Sequence, residues 1–355
     1  MRIFQTFVLP DDLVAKYKLS FAAANFSRNL ISGGAFDKVY SLLQVNVSGD
    51  IPGIDENGYE VVYSDWRKKG GGYAKFAIFA EQWQIFNKVK KGDLVWFYNM
   101  NMINGFLFLL LKILKPSVKL YIIVLDFTPA EHWYQQNFFF LKLINAANGT
   151  ICLSPSQLFT VKNTAILPGV VPINEEEQPK IKRLNRDFLL SGVVSNAISM
   201  TAKVLEAFAQ CSECTLHITG KVIEDEELIK EYATRYSNIK YYGSIPFGGY
   251  IDLLHKITFQ LSTRNPDYPE NQCNFPSKII EALLHNRIIV STIHYSQLEG
   301  VDYIEVDSNN LINEIKRINS MSDELLMSYA NESDKVKLKF STDIWNETML
   351  KIENA

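Results

Sequence analysis

The most informative stretch of the sequence is residues 274–284, which read Asn274-Phe275-Pro276-Ser277-Lys278-Ile279-Ile280-Glu281-Ala282-Leu283-Leu284. Its pattern predicts a helix. Pro276 suits the start of a helix because its fixed φ pre-sets the first turn. The free N–H groups of that turn and the helix dipole favour an anion. Ser277 and Lys278 add a hydroxyl and an ammonium group, and Glu281 shares their helix face. The stretch therefore predicts a nucleotide diphosphate site, with the diphosphate at the helix tip and sugar hydroxyls on Glu281.

On both sides of this helix, short apolar runs alternate with helical stretches. The run Ile288–Ser291 follows it, and the runs Thr258–Leu261 and Thr215–Thr219 precede it. The same alternation fills the first half of the chain, where Ile3–Leu9 and Leu94–Tyr98 read as strands. This rhythm predicts an α/β protein with parallel sheets.

The length of 355 residues favours two domains, each large enough for its own core. A polar, proline-bearing segment at 168–186 is the natural linker. We therefore predict one domain at 1–170, a second at 171–340, and a closing helix at 341–355. Two doubly wound, Rossmann-like units of this kind face each other across a cleft, with ligands outside the carboxyl ends of the strands.

Composition excludes several classes of protein. A hydrophobic content of 47% with 21% charged residues argues against disorder. The longest apolar run, Phe106 to Leu111 or to Leu114 if Lys112 is tolerated, is far shorter than a membrane span. No motif supports nucleic-acid binding.

The four cysteines do not predict a metal site. Cys211 and Cys214, with His217 nearby, resemble metal spacing, but no second pair completes four ligands. The segment is better explained as the end of a helix that is followed directly by a buried strand. Reduced thiols indicate a cytoplasmic protein.

Charge is distributed unevenly between the two halves. Residues 1–170 hold 17 lysines and arginines against 12 aspartates and glutamates, and the rest of the chain is acidic. The first half also contains Trp66-Arg67-Lys68-Lys69, the lysines of 88–91, and Phe138-Phe139-Phe140. A basic, aromatic face suits peripheral contact with the inner membrane surface or with a lipid-phosphate acceptor. The alternative is scattered solvated lysines and core phenylalanines.

The ordered motifs of the second half resemble those of retaining GT-B glycosyltransferases. The similarity is to the large glycosyltransferase family 4 group, particularly bacterial surface-polysaccharide enzymes with a Pro-Ser-Lys-x-x-Glu helix, and it covers residues 187–295. The motifs that carry it are Ser191-Gly192, Leu216-His217-Ile218-Thr219-Gly220, residues 238–246, Leu261-Ser262-Thr263-Arg264, the helix at 276–281 and residues 288–292. The match in the first half is looser and includes Tyr98-Asn99, Val124-Leu125-Asp126 and residues 166–170.

The resemblance implies an acceptor-binding domain at 1–170 and a nucleotide-sugar-binding domain at 171–340, and it implies the roles of the donor-site residues. Ser277 and Lys278 would bind the diphosphate, and Glu281 would bind the ribose hydroxyls. Gly192 would let the backbone approach the phosphates, and Arg264 is a candidate second cation. The base would be lined by Gly243, Ser244 and Ile245.

Two positions depart from the family pattern. The first glutamate of the family lies eight residues before the second, and here that place is held by Cys273, with Glu270 eleven residues before. The usual Arg/Lys pair after the glycine of the first strand is also missing, since Lys203 is the first cation after Gly192. We therefore expect Lys278 and Arg264 to carry more of the phosphate charge.

Breaking a sugar–phosphate bond passes through an oxocarbenium-like state, so charge builds on the departing diphosphate. No Asp-x-Asp occurs in the sequence, which favours a metal-free reaction without a cofactor, with Lys278, Arg264 and the helix tip stabilising the leaving group. Asp126 ends an apolar strand where a catalytic or acceptor-binding side chain would lie, or it caps the following turn. If the reaction retains configuration, the leaving phosphate can accept the acceptor's proton.

The predicted function is transfer of a hexosyl group from a nucleotide diphosphate sugar, with UDP-sugar favoured, to a saccharide or lipid-linked acceptor in surface polysaccharide synthesis. Two alternatives remain open. A sugar-nucleotide epimerase of the same fold would turn over donor without acceptor. A non-catalytic glycosyltransferase-like subunit would keep the fold and bind a partner.

Overall fold

The computed structural model describes residues 1–17, 19–45, 58–69, 72–172 and 176–355. The chain forms two compact units. Unit 1 comprises Met1–Glu175 and Phe340–Ala355, and unit 2 comprises Glu176–Lys339. The C-terminal segment, which the sequence pattern sets apart as a closing helix, thus belongs to unit 1.

Unit 1 is built on a parallel sheet of seven strands. In chain order these are β1 Arg2–Thr6, β2 Lys38–Leu42, β3 Glu60–Val62, β4 Leu94–Tyr98, β5 Lys119–Val124, β6 Gly149–Cys152 and β7 Thr164–Ile166. Their spatial order is β3-β2-β1-β4-β5-β6-β7. Each strand from β4 to β6 is almost wholly buried, as expected for a parallel sheet covered by helices on both faces.

The helices of unit 1 cover this sheet. They are α1 Asp11–Lys16, α2 Phe21–Ser32, α3 Tyr73–Lys88, α4 Gly105–Leu114 and α5 Gln136–Asn145, and α15, Thr342–Glu353, is the last helix of the chain. Helix α15 is fixed to the sheet because Glu353 accepts hydrogen bonds from Arg2 and from the Trp96 indole, at 2.8 and 2.7 Å. Trp345 is fully buried and donates to the Gly169 carbonyl at 2.7 Å. These contacts tie the last helix to unit 1.

One part of the predicted basic surface lies in the interior of unit 1. Arg67 is buried and forms two hydrogen bonds with the buried Glu81 carboxylate, at 2.6 and 2.7 Å. Its guanidinium also donates to the Leu43 carbonyl at 2.9 Å. The prediction that Arg67 belongs to a basic, aromatic face is therefore wrong, because a buried charge needs a partner and Glu81 supplies one. Phe140 is likewise a core residue.

Unit 2 is built on a parallel sheet of six strands. They are β8 Asp187–Val194, β9 Thr215–Val222, β10 Ile239–Tyr241, β11 Phe259–Ser262, β12 Ile288–Ser291 and β13 Ile304–Glu305. The spatial order is β10-β9-β8-β11-β12-β13. This is a doubly wound order, and its direction reverses between β8 and β11. Ligands of such sheets bind outside the carboxyl ends of the strands at that reversal.

Nine helices occupy the described part of unit 2. They are α6 Asn196–Ser199, α7 Thr201–Ala209, α8 Glu226–Arg235, α9 Phe247–Lys256, α10 Pro269–Cys273, α11 Ser277–Leu284, α12 Leu311–Ser320, α13 Asp323–Met327 and α14 Ser333–Phe340, the last of which ends one residue beyond the unit boundary. The segment after α7 passes through the buried Cys211 and Cys214 directly into β9. That arrangement confirms the helix-to-strand interpretation of these cysteines. None of the helices that the structure describes is long and apolar enough to span a bilayer.

Candidate functional site

The tip of α11 is open for an anion. Pro276 is the N-cap residue, with φ −74° and ψ 111°, so the helix proper begins at Ser277. No side chain caps this end, and the first turn carries no acidic residue. Ser277 is exposed. Among the residues that the structure describes, no capping or first-turn acidic side chain therefore neutralises the positive end of the helix dipole.

Lys278 and Glu281 lie together on the same face of α11. The Lys278 Nζ atom is 3.7 Å from a carboxylate oxygen of Glu281. Their side chains are 33% and 28% exposed, so the pair is more enclosed than a typical surface ion pair. An exposed i,i+3 ion pair stabilises a helix by only about 0.2–0.5 kcal/mol. The enclosed Lys278–Glu281 pair is less solvated than such a pair. The ammonium and carboxylate groups are both accessible to a ligand.

Gly192 determines where the Lys278 side chain lies. Its φ is +103°, a backbone conformation that residues other than glycine rarely adopt. A Cβ atom at this position would be 3.1 Å from Lys278 Cε and 3.3 Å from its Cδ. The glycine at the carboxyl-terminal part of β8 thus lets the lysine stem lie directly against the backbone.

Gly220 is required by the pairing of β8 with β9, and the predicted site residues do not include it. It is in register with Gly192 and has φ +130°. A Cβ atom here would lie 2.1 Å from the Gly192 carbonyl oxygen, which no real Cβ can do. Glycine often ends a strand, so the sequence predicts strands that stop before Gly192 and Gly220. In the structure β8 and β9 continue beyond these residues. The sequence feature that could have identified Gly220 as a site residue is its position at the end of the motif Leu216–Gly220.

Gly243 closes the same edge of the sheet. It has φ +65°, and its carbonyl accepts hydrogen bonds from the Thr219 hydroxyl at 2.8 Å and from the Gly220 N–H at 3.0 Å. Ser244 is exposed and Ile245 is half-buried in the loop that follows. A Cβ atom at Gly243 would meet nothing within 4 Å, so a ligand can approach the backbone at this position.

Arg264 follows β11, the strand that neighbours β8 across the reversal of strand order. Its guanidinium donates to the Asn271 side-chain oxygen at 2.7 Å. Asn271 is buried and in turn donates to the carbonyls of Ile198 and Asn265, at 3.1 and 2.8 Å. The arginine is half-exposed and held in place by this buried amide.

The position expected to hold an acid is occupied by a buried thiol. Cys273 is the last residue of α10 and is 8% exposed. Glu270, in the first turn of the same helix, is half-exposed. The structure therefore offers Glu270 as the accessible carboxylate of this segment.

Tyr250 is a site residue that the sequence does not reveal. This buried α9 residue places its ring under Lys278, with the ammonium nitrogen 4.1 Å from the ring centroid. Burial first, and the neighbouring Glu281 carboxylate second, raise the pKa of Tyr250. Among the described residues, none completes a hydrogen bond of regular geometry with its hydroxyl, although Glu281 and Ser191 lie beside it. A buried aromatic residue on a helix reads as core, so no sequence pattern distinguishes it.

We expect the ring of Tyr250, rather than its hydroxyl, to hold Lys278 in place. Tyr250→Leu removes a cation–π contact worth about 0.5–2 kcal/mol, so UDP affinity should fall roughly twofold to thirtyfold. Tyr250→Phe keeps the ring and should leave the affinity within about twofold of the parent. Calorimetric titration with UDP measures both. Equal losses in the two variants would show that the hydroxyl matters instead.

Asp126 belongs to unit 1 and follows β5. It is exposed, and its charge adds to the burial that raises the pKa of Tyr98 at the end of β4. The chain from Leu125 to Ala130 contains no helix, and a cap by Asp126 on the following turn stays a prediction. His132 is exposed and stacks on Tyr134, with ring centroids 5.1 Å apart.

The carboxyl ends of β1 and β4 in unit 1 carry a buried amide network. The Asn104 side chain donates to the Gln5 side-chain oxygen at 2.7 Å, and Asn99 accepts from the Leu125 N–H at 2.6 Å. Asn99 has φ +53°. These residues fix the loops at the edge where a ligand of unit 1 would bind.

Comparison with known proteins rests on structure. The sequence matches no protein-family model, and none of the curated proteins compared with it matches. Anabaena HepE in complex with UDP aligns over 99% of this chain and 99% of its own, with 16% identity and a TM-score of 0.68. A trehalose-6-phosphate protein of E. coli bound with UDP-2-fluoro glucose aligns over 99% and 98%, with 10% identity and a TM-score of 0.66.

TarM, known from S. aureus, is a third similar structure. It aligns over 77% of this chain with 14% identity and a TM-score of 0.58, and the chain spans 57% of the TarM structure. At these identities the likeness concerns the fold. Together with the two doubly wound sheets, it confirms the predicted GT-B fold.

Proposed function

We propose that this protein is a metal-independent, retaining glycosyltransferase. It moves a hexosyl group from a nucleotide diphosphate sugar, with a UDP-sugar favoured, to a saccharide or lipid-linked acceptor. The setting is surface polysaccharide synthesis in the cytoplasm, as expected for relatives of glycosyltransferase family 4.

The observation that carries this proposal is the position of Lys278. Its stem lies against Gly192, its ammonium group lies over Tyr250, and Glu281 is 3.7 Å away at the uncapped tip of α11. A diphosphate at this tip would meet backbone N–H groups and the ammonium group together. The Glu281 carboxylate, one turn further, would accept hydrogen bonds from ribose hydroxyls. Arg264 is the second cation at this edge of the sheet.

The solved neighbours support a UDP-sugar donor. HepE is described in complex with UDP and glucose, and the E. coli protein with UDP-2-fluoro glucose. TarM is described with UDP and alpha-GlcNAc-glycerol. The shared fold supports the proposal that the corresponding edge of unit 2 holds the same kind of donor in this chain.

The residues of this chain account for departure of the diphosphate. When the anomeric C–O bond breaks, the electron pair goes to the β-phosphate oxygen, and Lys278 with the α11 tip stabilises that charge. The acceptor oxygen forms the new bond to the anomeric carbon, and its proton passes to the leaving phosphate. Asp126 in unit 1 is the candidate for orienting the acceptor hydroxyl.

A donor screen tests the proposal. We expect calorimetric titration with a panel of nucleoside diphosphate sugars to show a preferred UDP-sugar, and transfer from it to an acceptor extract to continue in excess EDTA. Donor turnover without any acceptor would indicate the epimerase instead. Binding without turnover under all conditions would indicate a non-catalytic subunit, and loss of transfer in EDTA would refute metal independence.

A further inference from the structure

Five aromatic residues form an exposed surface on unit 1, which we call the α3 aromatic face. Each of their side chains is between 44% and 61% exposed. They are Trp66, Tyr73, Phe76, Phe79 and Trp83. The last four lie on α3 at spacings of three and four residues, so they share one side of that helix.

The inner side of α3 is buried against the unit. It carries the apolar Ala77, Ile85 and Phe86 and the polar Glu81 and Gln82. A surface helix normally has a polar outer side. The aromatic residues on the outer side of α3 depart from that pattern and have the composition of a surface that something else covers.

The exposed rings are packed into a continuous surface. Trp66 contacts Tyr73 and Phe76, with ring centroids 6.2 and 5.8 Å apart. Phe79 packs edge-on against Phe106 of α4 at 4.9 Å, and α4 exposes Ile113 further along. Because large exposed apolar patches mark interaction sites, this surface requires an occupant.

Cations border the α3 aromatic face. The Lys69 ammonium lies 5.8 Å from the Trp66 ring and 5.7 Å from the Tyr73 ring, and Lys75 is exposed on α3 itself. The only acid on α3, Glu81, is turned inward to Arg67. Asp65, beside Trp66 in the sequence, is the acid on this side.

We propose that the α3 aromatic face binds an anionic lipid bilayer, with its rings in the headgroup region and α3 lying in the membrane plane. Tryptophan and tyrosine are enriched at that depth, and neighbouring lysines attract anionic headgroups. The α3 part of the face, from Tyr73 to Trp83, gives a contact about 15 Å long.

This inference deepens the proposed function, since it makes the acceptor a lipid-linked one. It rests on the proposed function for that statement only, because membrane binding needs neither donor nor turnover. The two therefore fail separately.

Co-sedimentation of the full chain with vesicles tests the inference. We expect binding to vesicles of about one-third phosphatidylglycerol in phosphatidylcholine, and weaker binding to pure phosphatidylcholine or in high salt. The double variant Phe76→Ser/Trp83→Ser should lower the partition coefficient at least tenfold. The control Leu325→Ser/Leu338→Ser removes two exposed apolar side chains from unit 2 and should bind as the parent does.

Unchanged sedimentation of the Phe76/Trp83 variant would overturn the inference, as would absence of parent binding to anionic vesicles. A parent dimer in light scattering that the same variant dissociates would assign the face to a second copy of the chain. Calorimetry with UDP on every variant checks that unit 2 is intact. Vesicle binding without any UDP affinity would sink the proposed function and leave the membrane contact standing.

Discussion

Lys278→Ala should lower the affinity for UDP by about 100-fold while leaving the affinity for uridine unchanged. Lys278 is expected to make charge-assisted hydrogen bonds to the diphosphate, each worth about 1.5–3 kcal/mol, and about 3 kcal/mol corresponds to 100-fold. Uridine has no phosphate, so it cannot sense the lysine. Calorimetric titration with both ligands measures the effect.

Glu281→Ala provides the complementary result for the same site. Because Glu281 is expected to accept the ribose hydroxyls, its loss should weaken UDP and uridine alike. The variant should bind 2′-deoxy-UDP about as well as UDP. Lys316→Ala and Glu231→Ala, at exposed positions of unit 2, are the matched controls and should bind as the parent does. Unchanged UDP affinity in both Lys278→Ala and Glu281→Ala would remove the site from α11.

Gly220→Ala should destabilise unit 2 by about 3 kcal/mol or more, and lower its Tm by about 6 °C or more. The added Cβ would lie 2.1 Å from the Gly192 carbonyl oxygen and 2.8 Å from its nitrogen. Both are backbone atoms, so neither can rotate away, and β8 and β9 would have to separate. Scanning calorimetry of the full chain measures the change.

Gly300→Ala is the matched control, because it introduces backbone strain without a steric clash. Gly300 also has positive φ, +83°, but a Cβ there would meet nothing within 4 Å. It should cost only about 1 kcal/mol, the strain of a left-handed residue. A loss in Gly220→Ala no larger than that in Gly300→Ala would contradict the close approach of β8 and β9.

The repeated strand and helix pattern made the fold predictable from the sequence. The run Ile288–Ser291 was predicted with the bounds that β12 has, because a short, wholly apolar run is typical of a buried parallel strand. Helix α3 was missed because its exposed side carries four aromatic residues while its buried side carries Glu81 and Gln82, so polar and apolar residues do not separate by face. Arg67 was wrongly assigned to the surface because its ion-pair partner, Glu81, lies 14 residues away in the sequence.

The site was predictable where its residues are neighbours in the sequence. Ser277, Lys278 and Glu281 lie on one helix, and their spacing alone places them on one face. Tyr250 reaches Lys278 from α9, and Gly220 meets Gly192 through strand pairing. Such contacts depend on tertiary packing, which no local pattern encodes.

A crystal structure of the protein with UDP tests the central claim most directly. The diphosphate should lie at the tip of α11, within hydrogen-bond distance of the Ser277 N–H and the Lys278 Nζ atom, with the ribose hydroxyls on Glu281. The base should lie along Gly243, Ser244 and Ile245. A diphosphate bound elsewhere on unit 2, or no density for UDP at millimolar concentration, would contradict the assignment of this edge as a nucleotide-sugar site.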